Sequence, residues 1–470
     1  MVTLTWELTT KIAKALSITA VLALLFDQLL TFGDGRLQSF AVFSFYTFCI
    51  LALFEYSPNK LFYVLAIPLL SQFVHIFQRY SFPAGANSLW RLFPFLVLDT
   101  YLIDFILSTR GALLSPNQKT FILSWILFSL FFMVISPNLE MIAGGGITLY
   151  ILTIPGYFAY LNITCRAVDF QAQLEKHLCL LFVILAAGTF GLIYFGAGYQ
   201  GSDNLLVTRN IADTNVTMAY FILLWPFAIL YLNRQDRGWM FIPFFALIFL
   251  AIVGLSFSRG ALMLILPYLC MTLLFAKKIA SWIPLVLLVS CLITPVIFPF
   301  FQEQDIGYFW SLRFSDIFST NSFWNQLQAS SGRLGIQEIA YDLFLQRPFT
   351  GHGIGSFEIL GPGFREAHSL FYTMLAELGI LGTIFMYACF LLLGSSLIGS
   401  PRPTGSNSKV LLLSLAFYLV FNHTVGSAFV IIPAKSISVN CIAPMLLLCL
   451  YFYTKDTEQA HSACPDPTRL

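Results

Sequence analysis

Residues 241–275 read FIPFFALIFLAIVGLSFSRGALMLILPYLCMTLLF, and Arg259 is the only charged side chain in that stretch. The two apolar runs, 239–257 and 260–276, are each long enough to cross a bilayer, since a spanning helix needs about 17–25 residues. The Ser-Arg-Gly between them leaves almost no connecting loop. Backbone polar groups in lipid have to be satisfied within the protein, so such runs are helices. An arginine held against hydrocarbon costs roughly 2.5–3.5 kcal/mol at a helix centre and less toward the interface. Arg259 therefore calls for a partner; snorkelling to lipid headgroups is the competing explanation.

The same pattern recurs along the chain. Of 470 residues, 58% are hydrophobic and 10% charged, and the mean hydropathy is +0.80, far from the usage of a soluble domain. Apolar runs fall near 12–30, 38–54, 61–77, 89–107, 120–136, 147–163, 178–197, 215–232, 239–257, 260–276, 281–300, 369–398, 410–425 and 437–453. These predict an all-α polytopic integral membrane protein with about 12–14 transmembrane helices and one large loop on the outer side, 301–368, containing an amphipathic helix. Along the chain this gives N-terminal spans over 1–200, spans with arginine sites over 201–300, the loop over 301–368, and C-terminal spans with a short tail over 369–470. Lys11 and Lys14 before the apolar run Ala15–Phe26 imitate a signal peptide, but Asp27 and Gln28 stand where small cleavage-site residues belong, so the run reads as an uncleaved first span. A net charge of +2 argues against nucleic acid as a partner. Nine cysteines with no CxxC pair, and none in 301–368, argue against disulfides and structural zinc.

With the N-terminus inside, nine of ten lysines fall on the cytoplasmic side, as the positive-inside rule requires. Arginines behave differently. Arg36, Arg79, Arg91, Arg209, Arg259, Arg313, Arg333, Arg347 and Arg365, nine of fifteen, fall outside. Guanidinium forms planar bidentate bonds to phosphate and keeps its charge, whereas lysine is a generic anchor. The weak constraint on charge in a long loop is the alternative explanation.

Within the loop, Leu334, Ile336, Ile339, Ala340, Leu343 and Phe344 recur at helical spacing until Pro348, which predicts a helix lying in the membrane interface or packed on the bundle. Gly351, Gly353, Gly355, Gly361 and Gly363 then allow tight turns and close approach to a ligand. GxGxxG fails at Ser356, so no nucleotide loop is implied. His368 follows Arg365 and Glu366 and leads into SLFYTMLAELGILG, which places it in the first turn or at the cap of the twelfth span. A helix N-terminus favours neutral imidazole and Glu366 opposes it; neutral imidazole can take a proton from a hydroxyl. A capping or packing histidine is the plainer explanation. Arg209, Asp213 and Asn215 lead into the eighth span, partly as caps. Glu303 and Asp305 form the one ExD pair just outside a span, and no metal site is expected from it.

Taken together, SRGA at 258–261, SGRLGIQEIAYDLFLQRPFTGHGIGSF at 331–357 and REAHSLFYTMLAELGILG at 365–382 resemble the O-antigen ligase and polymerase superfamily of bacterial envelope glycosyltransferases. The resemblance covers about residues 200–395; before that only hydropathy agrees. It implies transfer of a glycan from an undecaprenyl diphosphate carrier to a glycan or lipid A core hydroxyl at the periplasmic face of the inner membrane, with no cofactor and no metal. Both termini would be cytoplasmic, membrane lipids would surround the chain, and oligomeric state stays open. The resemblance assigns His368 and Arg259 as catalytic, Arg209, Arg259 and Arg333 as diphosphate-binding, and Gly351, Gly353, Gly355 and Arg365 as a substrate-shaping loop. Ser369 departs from the family's common Asn. The competing class is a lipid-linked glycan flippase or other transporter using Asp99, Asp104, Arg91, His75 and Lys435 as an intramembrane pathway.

Overall fold

A computed structural model describes residues 35–54, 60–81, 92–109, 114–195, 214–256, 258–275, 333–363, 366–398, 406–426 and 441–454, with 35–43, 74–81, 144, 191–195, 214, 259 and 406–407 described by backbone alone. The expected spans at 12–30 and 281–300 lie outside these residues. Every regular element among the described residues is helical. Five of these helices are long and apolar enough to cross a membrane, and shorter apolar helices of 10–17 residues accompany them. The chain is an all-α polytopic membrane protein, as its hydropathy predicts.

The helices are α1 Gly35–Phe54, α2 Lys60–Ser81, α3 Phe93–Ser108, α4 Pro116–Val134, α5 Ile154–Thr164, α6 Phe170–Phe195, α7 Thr214–Arg234, α8 Ile242–Leu255, α9 Arg259–Leu273, α10 Arg333–Gln346, α11 Ser356–Leu360, α12 Leu370–Ile398, α13 Ser406–Thr424 and α14 Ile442–Tyr453. They belong to two compact units, Met1–His177 with Gly353–Ser356 and Val430–Leu470, and Leu178–His352 with Phe357–Phe429.

In the first unit α1 packs on α2 and α3, α3 on α5, and α5 on α14. Ser115 and Gln118 start α4 with a reciprocal capping box, satisfying backbone donors that the helix cannot. The run expected as one span over 147–163 is not a single α-helix. Wider π turns occupy Ile142–Gly146 and Thr148–Thr153 before α5 begins, with Gly145 at φ 152. Thr153 donates to the Thr148 carbonyl and Trp125 Nε1 to the Tyr150 carbonyl, so carbonyls loosened from the regular ladder are recovered by side chains. Asp99 on α3 is buried while Asp104 is exposed.

In the second unit α7 is apolar on all sides and almost wholly buried, the pattern of a central helix. It packs on α8, α9 and α13. Polar groups on these helices are paired: Trp225 Nε1 donates to Thr272 Oγ1 at 2.8 Å, and the Tyr268 hydroxyl donates to the Ile222 carbonyl at 2.8 Å. Such pairing is what lets large amphipathic rings stay buried.

The span expected as continuous over 369–398 is broken. Gly379, at φ 59 and ψ −165, divides α12 into Leu370–Leu378 and Ile380–Ile398. At 1.5 Å per residue the second piece alone is about 28 Å long, close to the ~30 Å hydrocarbon core. The first piece packs instead with α10, through a cluster of Ile336, Ala340 and Leu343 with Phe357, Ala367 and Ala376. Leu334, Tyr341 and Leu345 on the rest of α10 are exposed. Groups freed by the break are taken by the loop after α10: Ile380 N–H donates to Pro348 O at 2.8 Å, Leu381 N–H to Phe349 O at 3.1 Å, and His352 N–H to Ala376 O at 3.1 Å. A broken helix survives in a membrane protein only when such groups are re-satisfied.

Candidate functional site

The geometry that brings chemistry-bearing residues together lies in the second unit and is built from helix ends. Ser258 is the N-cap of α9: its backbone is extended and its Oγ accepts from Ala261 N–H at 3.2 Å, the usual way a serine satisfies an orphan donor. The same hydroxyl donates to Asn215 Oδ1 at 3.0 Å, and Asn215 Nδ2 donates to the Val425 carbonyl at 3.4 Å. The start of α7 is thereby tied to the start of α9 and to the residues that follow α13. Arg259 is the first residue of α9, directly after the cap.

Glycines let these ends meet. A Cβ added at Gly260 would lie 2.7 Å from Val425 Cγ2. One added at Gly426 would lie 3.3 Å from Asn215 Cβ and Nδ2 and 3.4 Å from Glu366 Oε1. Asn215 and Glu366 therefore touch the same point. Glu366 Oε1 in turn lies 3.8 Å from His368 Nδ1, with the side chains 14% and 29% exposed. The Ser258–Arg259 corner and the His368 segment, more than a hundred residues apart in sequence, are thus neighbours across Gly426.

His368 is not the helix cap. The helix begins at Leu370, and the chain is fixed just before it by Ala367 N–H donating to Thr373 Oγ1 at 3.1 Å and by Thr373 Oγ1 donating to the Ser369 carbonyl at 2.8 Å. His368 itself is at φ 52, the only positive φ of a non-glycine residue among the described residues. Left-handed backbone in a residue with a side chain is held only where the surroundings over-determine it, and it gathers at functional positions. The break at Gly379 also means that His368 leads into the short first piece of α12 and not directly into a membrane-length helix.

The arrangement has an electrostatic consequence. The N-terminal ends of α7, α9 and α12 converge here, and the partial positive charge of a helix N-terminus favours an anion. The C-terminal end of α13 is also present, and Glu366 supplies a carboxylate at the meeting point.

Of the residues expected from sequence, His368 and the α9 start at Arg259 are brought together. Arg333 opens α10, whose buried face packs against Ala367, the neighbour of His368. Arg209 and Arg365 lie outside the described residues. Gly351, Gly353 and Gly355 have the positive φ and close approach expected of them, at 59, 95 and 74. What they approach is protein: Gly351 lies against Glu377 and Gly379 in the second unit, while Gly353 lies against Ser136 and Gly355 against Met141 in the first. Ile354 N–H donates to Phe132 O at 3.0 Å and Ser136 Oγ to Ile354 O at 2.7 Å, holding that short stretch in the first unit. Of the residues of the transporter alternative, Arg91 and Lys435 are outside the described residues. Sequence reasoning missed the structural part of Gly426, which sits in an unremarkable VGSA stretch, and treated Glu366 only as a neighbour of His368.

Residues 244–387 match the family model for O-antigen ligase. No curated protein matches the chain. The matched stretch includes Ser258, Arg259, Arg333, Glu366 and His368, and leaves Asn215 and Gly426 outside it.

Proposed function

We propose, on the premise that residues 244–387 bring this chain into the O-antigen ligase and polymerase superfamily, that it passes a glycan from an undecaprenyl diphosphate carrier to an acceptor hydroxyl at the periplasmic face of the inner membrane. Glycan transfer in polysaccharide assembly is the family's general activity; carrier, acceptor and residue roles are our reading. The observation that carries it is the meeting at Gly426, where Asn215 and Glu366 touch one point and so join the α9 start to the His368 segment.

The residue roles in this reading are those the resemblance assigns. The acceptor hydroxyl gives its proton to His368. Its oxygen forms a bond to the anomeric carbon as the bond from that carbon to the carrier's diphosphate oxygen breaks, and the electron pair leaves with the diphosphate. Charge growing on the leaving group is met by the guanidinium groups of Arg259, Arg209 and Arg333 and by the converging helix N-termini, which need no reorganisation as the bond breaks. With no carboxylate nucleophile assigned, the step is a direct displacement with inversion at the anomeric carbon. Arg365 and Gly351 are assigned to shaping the sugar site in this reading. The acceptor is a glycan or the lipid A core.

Purified full-length protein, given an undecaprenyl diphosphate-linked oligosaccharide and an acceptor in detergent where no membrane has to be crossed, is expected to form a glycosidic product. Arg259→Ala and His368→Ala are each expected to lose it while still inserting and purifying normally. Product at wild-type rate from either variant removes the role assigned to that residue. Absence of product from the wild type, together with movement of the lipid-linked glycan across a vesicle bilayer, would favour the flippase reading instead.

A further inference from the structure

The His368 ring has two nitrogens, and the structure treats them differently. Nδ1 is buried and faces Glu366 Oε1 at 3.8 Å, although the side chain as a whole is 29% exposed. The exposure therefore falls on ring atoms other than Nδ1, the nitrogen that faces Glu366. Glu366 is itself held: it is 14% exposed, and its Oε1 rests against Gly426, where a single added carbon would come within 3.4 Å. The backbone between the two residues is fixed by the Ala367 to Thr373 hydrogen bond, and His368 is kept in its left-handed conformation. A chain that needed only a histidine near a helix start has no reason to hold both its φ and its inner nitrogen in this way.

We propose that Glu366 is the positioning residue of His368. Its carboxylate holds the imidazole as the Nδ1–H tautomer, fixes the ring plane, and leaves Nε2 as the atom that receives the acceptor's proton; it then stabilises the imidazolium so formed. A ligating or catalytic ring nitrogen is commonly set by what the other nitrogen donates to. At 3.8 Å the pair is within ion-pair range and longer than a hydrogen bond; catalytic hydrogen bonds are often long in the free enzyme and close to about 2.6–3.2 Å with substrate bound. In the transfer the acceptor O–H bond breaks with its proton moving to Nε2, and the imidazolium later returns that proton to water or to the departing diphosphate, so Glu366 ends as it began, a carboxylate. The inference rests on the transfer reading above and deepens it.

The test uses full-length protein with an undecaprenyl diphosphate-linked oligosaccharide as donor, and lipid A core and the same lipid-linked oligosaccharide as acceptors in separate arms. For Glu366→Ala we expect kcat to fall about ten- to a hundredfold, the loss usual for an outer partner of a catalytic group, with the donor KM nearly unchanged. Glu366→Gln keeps an acceptor for Nδ1–H but not the charge, and is expected between Glu366→Ala and wild type, with unchanged thermal stability. Wild-type kcat in both variants overturns the proposal, as does a raised donor KM at unchanged kcat, which would make Glu366 a binding residue. Wild-type transfer by His368→Ala would remove His368 as the base and the proposal with it, whereas absence of product from the wild type would overturn the transfer reading itself.

Discussion

His368 carries its side chain on a backbone that glycine would adopt more easily, with φ 52. The strain is of order 1–3 kcal/mol, and replacing the residue separates conformation from chemistry. His368→Gly is expected to keep or raise the melting temperature in detergent while transfer falls about 10²–10⁴-fold, the range for loss of a general base. A variant that loses both would make the residue structural. At Gly426 the issue is space: a Cβ meets Asn215 and Glu366 at 3.3–3.4 Å, tight but not closed. Gly426→Ala is expected to fold and to lower kcat, and Gly426→Val to abolish transfer, read by the same assay alongside size-exclusion elution. The sequence made His368 and Arg259 legible because charged residues stand out in apolar surroundings. Gly426 was not legible, since nothing in VGSA marks a glycine that two distant side chains share. The backbone strain at His368 was equally hidden, because residue type alone does not report a dihedral angle.

Helices were read well by hydropathy and their interruptions were not. The run LFYTMLAELGILGTIFMYACFLLLG stays apolar throughout, so nothing in its composition separates a 29-residue helix from the two pieces found at Gly379. What makes the break tolerable is the loop after α10, and Gly351 and Gly379 face each other at φ 59 with no room for a Cβ: each would come within 2.5–2.6 Å of backbone atoms of the other's segment. Gly351→Ala and Gly379→Ala are therefore expected to cost at least about 1–2 kcal/mol for the left-handed backbone alone, with the backbone overlap added. Melting temperature by intrinsic fluorescence should fall clearly in both; unchanged stability in either would mean that the contact is not required. The amphipathic reading of α10 is borne out as packing, through Ile336, Ala340 and Leu343. A helix pattern marks the face to be covered, and two helices compete to cover it only in three dimensions. The same limit applies to the π turns before α5, where Gly145 and side-chain bonds, not hydropathy, decide the local winding.

For the molecule as a whole, membrane class and helical architecture follow directly from the hydropathy pattern. The lysine distribution predicts an orientation, with the turn after α7 in the cytoplasm and α10 outside. With native cysteines replaced by serine, Asp342→Cys is expected to react with a membrane-impermeant maleimide in intact cells and Gln235→Cys only after the membrane is opened; the reverse would invert the topology and move the proposed site to the wrong face. Less of the site was legible at this scale, because its parts are drawn from α7, α9, α12 and the residues after α13, and only long-range contacts unite them. The central claim is that the arginine start of α9 and the His368 segment serve one transfer reaction. Its most direct measurement is the single-turnover rate of glycan transfer by purified full-length Arg259→Lys, Arg259→Ala and His368→Ala proteins at saturating lipid diphosphate donor. The account predicts a loss of at least about 10²-fold for both alanine variants, with Arg259→Lys between Arg259→Ala and wild type because charge is kept and the planar fork is lost. Transfer at the wild-type rate by His368→Ala or by Arg259→Ala would contradict it.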